Sequence, residues 1–255
     1  MLLRVLTFNI RLRKDEGRDA WENRRDLVVD VLRAKSPDVF GLQEAYLDQA
    51  QYIAAKLPQY DWFGESRRPK REDERVAIFY RRDVLRLIEH GDFWLSETPE
   101  TPGSSSWKMN VPRIATWGLF ELPSGGRFYY CNTHFSHREI EEQEARVESA
   151  TLICRKLLEL PAVPAIVTGD FNAPAGDEVY RVFRDMLEDA WESAASRTGP
   201  AETFHGFNGK EEDKRRIDWI LYRGPWRVLE AETITYHVDD RYPSDHFPVF
   251  AVFQV

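Results

Sequence analysis

Cysteine is nearly missing from this chain: Cys131 and Cys154 are the only two among 255 residues. A disulfide-stapled secreted scaffold is therefore excluded, and two buried free thiols in a reducing cytoplasm are expected. No run of 18 apolar residues occurs, so no helix is expected to span a membrane. Positive charge is also in deficit, with 35 Lys and Arg against 43 Asp and Glu, a net charge of −8. A protein that coats nucleic acid through a broad basic face is not expected from that balance. The chain enters a strand-like run at once (Leu2, Leu3, Val5, Leu6), with no charged stretch, apolar segment and small-residue cleavage site. Taken as complete, it is expected to carry no secretory leader and to be cytoplasmic. There is also no repeat, low-complexity tract or interdomain linker. Nothing in the chain points to an oligomeric state.

What is present is ample apolar material, 42% hydrophobic with eight Trp and fifteen Phe, enough for a sizeable core. Candidate site residues run from position 9 to position 246, so one domain over 1–255 is expected. Leu3 to Ile10 reads as a strand, and Trp21 to Ala34 as a helix with Leu27, Val28, Val31 and Leu32 in one stripe, ended by Ser36-Pro37. Val39 to Leu42 is a short apolar strand, and Leu47 to Lys56 a second helix closed by Pro58. Strands are expected at Val76–Tyr80, Leu85–Glu89, Ile114–Leu122 and Arg127–Asn132, the last two joined by a turn at Ser124-Gly125-Gly126. Ser96 to Met109 reads as a long loop. A helix over Glu139–Leu160, a strand over Pro164–Thr168, a helix over Glu178–Leu187, an irregular stretch over Glu192–Arg216, and strands over Ile217–Tyr222 and Pro248–Val255 complete the reading. This order gives two similar halves, with two sheets packed face to face and helices outside.

Several apolar runs stop on polar residues: Thr7-Phe8-Asn9, Gln43-Glu44, Asn132-Thr133-His134 and Gly169-Asp170-Phe171-Asn172. Ile217-Asp218 and Ser244-Asp245-His246 follow in the C-terminal part. A buried strand that ends on such a residue delivers it to the rim of a sheet. Each motif alone also reads as a helix cap or turn. Together they converge four carboxylates, Glu44, Asp170, Asp218 and Asp245, with the amides Asn9 and Asn172. Crowded carboxylates repel, and a divalent cation relieves that repulsion. Hard oxygen ligands without a Cys/His cluster select Mg²⁺ or Mn²⁺ over structural zinc.

The order and spelling of these motifs resemble the endonuclease/exonuclease/phosphatase (DNase I-like) superfamily from Thr7 to Val249. Gly91 to Pro99 and Arg241 to His246 resemble a bacterial subgroup of that superfamily with no assigned substrate. The resemblance implies a four-layer α/β sandwich and a metal-dependent phosphoesterase. It implies that Asn9 and Glu44 hold the principal metal, that Asp245 ligates or positions one, and that Asp170 orients the attacking water. Asn172 would hold a phosphoryl oxygen, and Asp218–His246 would be a hydrogen-bonded pair that stabilises charge on phosphorus. His134 would be a second phosphate contact or the general acid, and its presence sets the chain apart from the apurinic endonucleases.

Further candidates for substrate binding are Arg113 just before the Ile114 strand, His137, and His205 in Thr203-Phe204-His205. Trp94, Trp107 and Tyr242 are stacking candidates, each also readable as ordinary packing. The basic run Arg67-Arg68-Pro69-Lys70-Arg71 meets Glu72, Asp73 and Glu74 at once, and reads as a solvated loop or as a substrate contact. The substrate is a nucleic acid in one reading, DNA or RNA, and a small or lipid-derived phosphoester in the other. A scaffold that had merely kept the fold would be expected to have lost site positions, and none is lost.

Overall fold

The structure is a computed structural model that describes residues 1–138, 142–160, 163–210 and 215–255. The N-terminal part holds β1 (Leu2–Asn9), α1 (Trp21–Lys35), β2 (Val39–Gln43), α2 (Leu47–Lys56), β3 (Tyr60–Phe63) and β4 (Ile78–Arg81). Next come β5 (Arg86–Trp94), β6 (Ile114–Glu121), β7 (Arg127–His134), α3 (Gln143–Glu159) and β8 (Ala165–Asp170). The chain closes with α4 (Glu178–Arg184), β9 (Glu188–Asp189), α5 (Ala190–Ser193), β10 (Ser196–Thr198), β11 (Asp218–Arg223), β12 (Arg227–Thr233) and β13 (Val249–Gln254).

Among the described residues these strands form two mixed sheets, one in the order β10-β12-β13-β1-β2-β4-β3 and the other β5-β6-β7-β8-β11-β9. In each sheet one central parallel pair spans a helix: β1 and β2 across α1, β7 and β8 across α3. The expected two-sheet sandwich is what forms.

Strand periodicity explains how the sheets pack and where the site falls. Alternate residues point to opposite faces. On β1, Leu3 and Val5 join the layer between the sheets, while Leu6 and Phe8 pack outward with Val28, Val31 and Leu32 of α1. On β7, Phe128 and Tyr130 face inward, and Tyr129 and Cys131 pack outward with Ile153 and Leu157 of α3. The inward rows begin apolar and turn polar toward one end: Val5, Thr7, Asn9; Phe128, Tyr130, Asn132, His134; Ile166, Thr168, Asp170; and, read backwards on the antiparallel β11, Tyr222, Ile220, Asp218. The inter-sheet space is thus greasy at one end and carries the motif residues at the other.

An amide crossing locks the sheets together just below that end. Asn132 on β7 donates from Nδ2 to the carbonyls of Leu42 and Ala77, at 2.9 and 3.2 Å. Its Oδ1 accepts from Gln43 Nε2 at 2.7 Å and Thr168 Oγ1 at 3.2 Å. Gly41 makes room, since a Cβ there would sit 2.3 Å from Asn132 Oδ1. Gln43 and Asn132, expected at the rim with their motif neighbours, instead lie fully buried between the sheets.

Four strands were not expected: β3, β9, β10 and β12. β3 is a four-residue edge strand, β9 and β10 span only two and three residues, and β12 carries a bulge between Val228 and Glu230 that breaks its alternation. β5 runs past its expected end at Glu89 through Gly91 to Trp94, with Gly91 paired to Trp117 of β6 and lying against its ring. The strand expected at Val76 begins at Ile78, and the stretch expected to be irregular over Glu192–Arg216 takes in the end of α5 and the whole of β10. The long helix begins at Gln143; residues 139–141 of its expected span lie outside the described residues.

Candidate active site

Six segments meet at the polar end of the inter-sheet layer. Register sets Asn9 beside Gln43, His134 beside Asp170, and Asp170 beside Asp218. Glu44 and Asn172 follow their strands with φ of 59° and 48°, left-handed conformations that are costly outside glycine and mark a sharp re-aiming of each side chain.

Asn9 ties the two sheets at the site. Its Nδ2 donates to Glu44 Oε1 at 3.1 Å and to Asp170 Oδ2 at 2.9 Å. The second Glu44 oxygen accepts from the Leu12 backbone at 2.9 Å. Asp170 Oδ1 accepts from the Asn172 backbone at 3.0 Å. Buried, and beside Asp218, the Asp170 carboxyl is pushed up to about 7. His246 Nδ1 bonds Asp218 Oδ2 at 2.9 Å, both side chains buried, and its Nε2 lies 3.7 Å from Asp170 Oδ2. Burial opposes charge on His246, yet the carboxylates of Asp218 and Asp170 prevail and raise it to about 10. His246 is an imidazolium at neutral pH.

His134 differs. Burial, with Arg113 and Arg67 nearby, holds it well below the ordinary imidazole value, so it is neutral. Its Nε2 lies 3.1 Å from Asn172 Nδ2, which also donates to the Phe135 carbonyl at 3.1 Å. A neutral His134 whose Nε2 accepts from Asn172 carries its proton on Nδ1. Both Asn172 amide protons are then engaged, so in this arrangement Asn172 orients His134 rather than holding a phosphoryl oxygen. Neutral His134 also offers a hydrogen bond, not the proton of a general acid.

The cavity over these groups has a volume of about 450 Å³. Glu44, His134, Asn172, Asp245 and His246 form its floor with Arg113 and His137, two of the three substrate candidates. Arg113 is 3% exposed; one Nη lies 3.1 Å from His137 Nδ1 and its Nε has no partner. His205 lines no part of the cavity: its ring stacks on Phe247 at 3.9 Å and its backbone N–H bonds the Asp245 carbonyl, so it backs the Asp245–His246 segment. Trp94, Trp107 and Tyr242 do not line it either. Burial pushes the Cys131 thiol up to about 12, on the outer face of its sheet, which leaves it unsuited as a nucleophile.

Sequence reasoning missed several wall residues. Arg11 lines the cavity and pairs with Asp15 and Asp245. Arg67 is buried, its guanidinium clasped by Asp73 and Glu74 at 2.8–3.0 Å, and Glu74 also lines the cavity. Arg67 and Arg68 of the basic run are therefore paired by the acids that follow it. Phe204 stands edge-on to the His246 ring at 5.0 Å. Arg24, 2% exposed, donates to the carbonyls of Ile10, Arg11, Leu12, Asp19 and Pro243, tying the loop after β1 to the loop before Asp245.

The donor set fits a hard divalent cation. Each Glu44 oxygen accepts one hydrogen bond and keeps lone-pair capacity, and Asp245, also facing the cavity, accepts only from Ser244 besides its ion pair with Arg11. Ligand atoms of Asp170, Asp218 and His246 lie within 4.8 Å of one another, with His246 Nδ1 committed to Asp218.

Comparison with known proteins agrees with this construction. Residues 6–246 match the Endonuclease/Exonuclease/phosphatase family. A mannosyl-6-phosphatase from Bacteroides thetaiotaomicron is 35% identical, with a TM-score of 0.91 covering 99% of this chain and 100% of that one. Human nocturnin is 25% identical over 98% of this chain, which spans 65% of nocturnin's length. The structure of Danio rerio TDP2 with a single-strand DNA product shares the fold at a TM-score of 0.80 and 19% identity, covering 100% of this chain and 99% of that one. From its sequence, its two-sheet architecture and the residues gathered at one end of them, the chain belongs to the endonuclease/exonuclease/phosphatase family, whose members are phosphoester hydrolases.

Proposed function

We propose that this protein is a divalent-metal-dependent phosphatase acting on a small phosphorylated sugar. Arg113 carries this reading. Of the three cavity arginines, Arg11 and Arg67 have carboxylate partners, whereas no carboxylate lies within ion-pair reach of Arg113 among the described residues. Glu74, Glu44 and Asp170 favour its charge only from a greater distance, and a buried guanidinium with no directly paired carboxylate suits an anion with fork-like acceptors. A phosphomonoester supplies more negative charge there than a diester. The whole-chain likeness to a mannosyl-6-phosphatase points the same way, as does the modest size of the cavity, about 450 Å³.

Glu44 and Asp245 would hold Mg²⁺ or Mn²⁺, with Asn9 orienting Glu44. When bound, such an ion supplies charge stabilisation at a phosphoryl oxygen. Arg113 and His137 grip the phosphate. Asp170, held near neutrality and aligned by Asn9 and the Asn172 backbone, takes a proton from the attacking water. His246 presents its Nε2 proton at the phosphoryl group, and as the bond from phosphorus to the sugar oxygen breaks, that oxygen takes this proton and leaves as the free sugar hydroxyl; Asp218 fixes the His246 ring. His134 donates a hydrogen bond from Nδ1. A cytoplasmic setting suits the free thiols.

The test is a panel of hexose 6-phosphates, p-nitrophenyl phosphate, bis-p-nitrophenyl phosphate, single-stranded DNA and RNA with Mg²⁺ or Mn²⁺. The hexose phosphates should give the highest kcat/KM, and Arg113→Ala should raise their KM. Oligonucleotides turned over more efficiently than every sugar phosphate would overturn the reading in favour of a nuclease.

A further inference from the structure

Arg11 stands next to a carboxylate assigned above to the metal, and it is held there from both ends. Its backbone adopts a left-handed φ of 56°. That conformation is braced by its N–H bonding Asn9 Oδ1 at 3.0 Å and by its carbonyl accepting from Arg24 at 2.8 Å and Gln49 at 3.0 Å. Its guanidinium engages both oxygens of Asp15, at 3.0 and 3.2 Å. The remaining nitrogen, Nη1, reaches to 3.5 Å from Asp245 Oδ2. A side chain anchored twice on Asp15 does not swing freely away from Asp245.

We infer that Arg11 is a fixed countercharge that weakens divalent-cation binding at Glu44 and Asp245 while stabilising the metal-free site. This rests on the metal reading of the preceding section. A positive group beside Asp245 offsets the repulsion between carboxylates when no cation is present, and it repels a cation that arrives. One charge therefore acts with opposite sign on the two states. Its effect is to keep the metal exchangeable instead of trapped.

Calorimetric titration of Mn²⁺ into the full-length protein tests this without reference to turnover. Arg11→Gln should lower the Mn²⁺ Kd by about tenfold at low ionic strength, with the gain shrinking as salt screens the charge. Arg11→Lys keeps the charge and should stay within about threefold of the parent protein, on the same electrostatic argument. Arg13→Gln removes an arginine that pairs with Asp48 and Glu72 and does not line the cavity, and it should leave the Kd unchanged. In EDTA, Arg11→Gln should have a lower Tm than the parent. The Arg11 side chain is 34% exposed, so substitution leaves the core intact, and Arg11→Ala repeats the measurement if the Gln variant misfolds. Mn²⁺ binding by the parent protein with an unchanged or weaker Kd in Arg11→Gln would overturn this inference alone. Absence of any Mn²⁺ binding by the folded parent would overturn the metal reading and the inference with it.

Discussion

Replacing Asp218 with Asn, alone and together with His246→Ala, gives a sharp test of the proposed chemistry. The Asp218–His246 contact is 2.9 Å long, with Asp218 1% and His246 5% exposed. Asp218 is itself fixed, since its N–H and that of Ile217 both donate to Thr203 Oγ1. An Asn side chain fills the same space but can turn its NH₂ toward Nδ1, which selects the wrong tautomer. Loss of about 10³–10⁴ in kcat is expected from that change. His246→Ala removes the donor outright and should cost ~10²–10⁴. If the two act as one unit, the double variant should fall no more than about tenfold below His246→Ala, far short of the product of the two losses. The assay is initial-rate kinetics on the best sugar phosphate at saturating metal, with circular dichroism and urea unfolding alongside. Unfolding data are needed because breaking a buried ion pair costs roughly 3–5 kcal/mol of stability. Multiplying single effects in the double variant would refute the pairing as a catalytic unit, whatever the distance between the side chains.

Chelation should abolish turnover and added Mg²⁺ or Mn²⁺ restore it, and Glu44→Gln should raise the metal concentration needed for half-maximal rate; full activity in excess EDTA would refute the assignment. Gly41→Ala should destabilise the protein by about 3 kcal/mol in urea unfolding, because the new methyl would displace Asn132 from its buried bonds; a cost near zero would show that the sheets slide apart easily there. Asp92 is half-buried and its carboxyl is raised above its ordinary value by desolvation, while Thr116 Oγ1 and the Glu65 N–H donate to it. A raised folded-state value means stability that is present in acid and lost as pH rises through it. Asp92→Asn keeps an acceptor without the charge, so it should raise Tm at pH 7 and make little difference in acid; a lower Tm at pH 7 would refute this.

The polar strand endings were legible one by one, and so were most elements. The Val39–Gln43 and Leu47–Lys56 segments lie where apolar runs and turn residues place them. The misses have local causes. Tyr60–Phe63 is too short to carry a period, and the bulge in Arg227–Thr233 erases one. Asn172 and His134 were both recognised, but their mutual bond, which occupies the Asn172 amide and sets the His134 tautomer, was not. Nor was the burial of Arg67, whose partners Asp73 and Glu74 look like an ordinary solvated charge run.

By itself, then, the sequence determined that inward rows pass from apolar to polar along each strand, because side-chain alternation is a property of any extended chain. That is enough to predict two sheets with chemistry at one end. Tertiary structure alone decided which groups are charged and which are partnered. His134 and His246 are both strand-end or loop histidines in sequence, yet one is neutral and the other cationic. The difference arises because Asp218 and Asp170 stand against His246, while Arg113 and Arg67 stand against His134. Coulomb energy depends on distance through space, and residues 28 and 76 positions from His246 reach it only when the two sheets close.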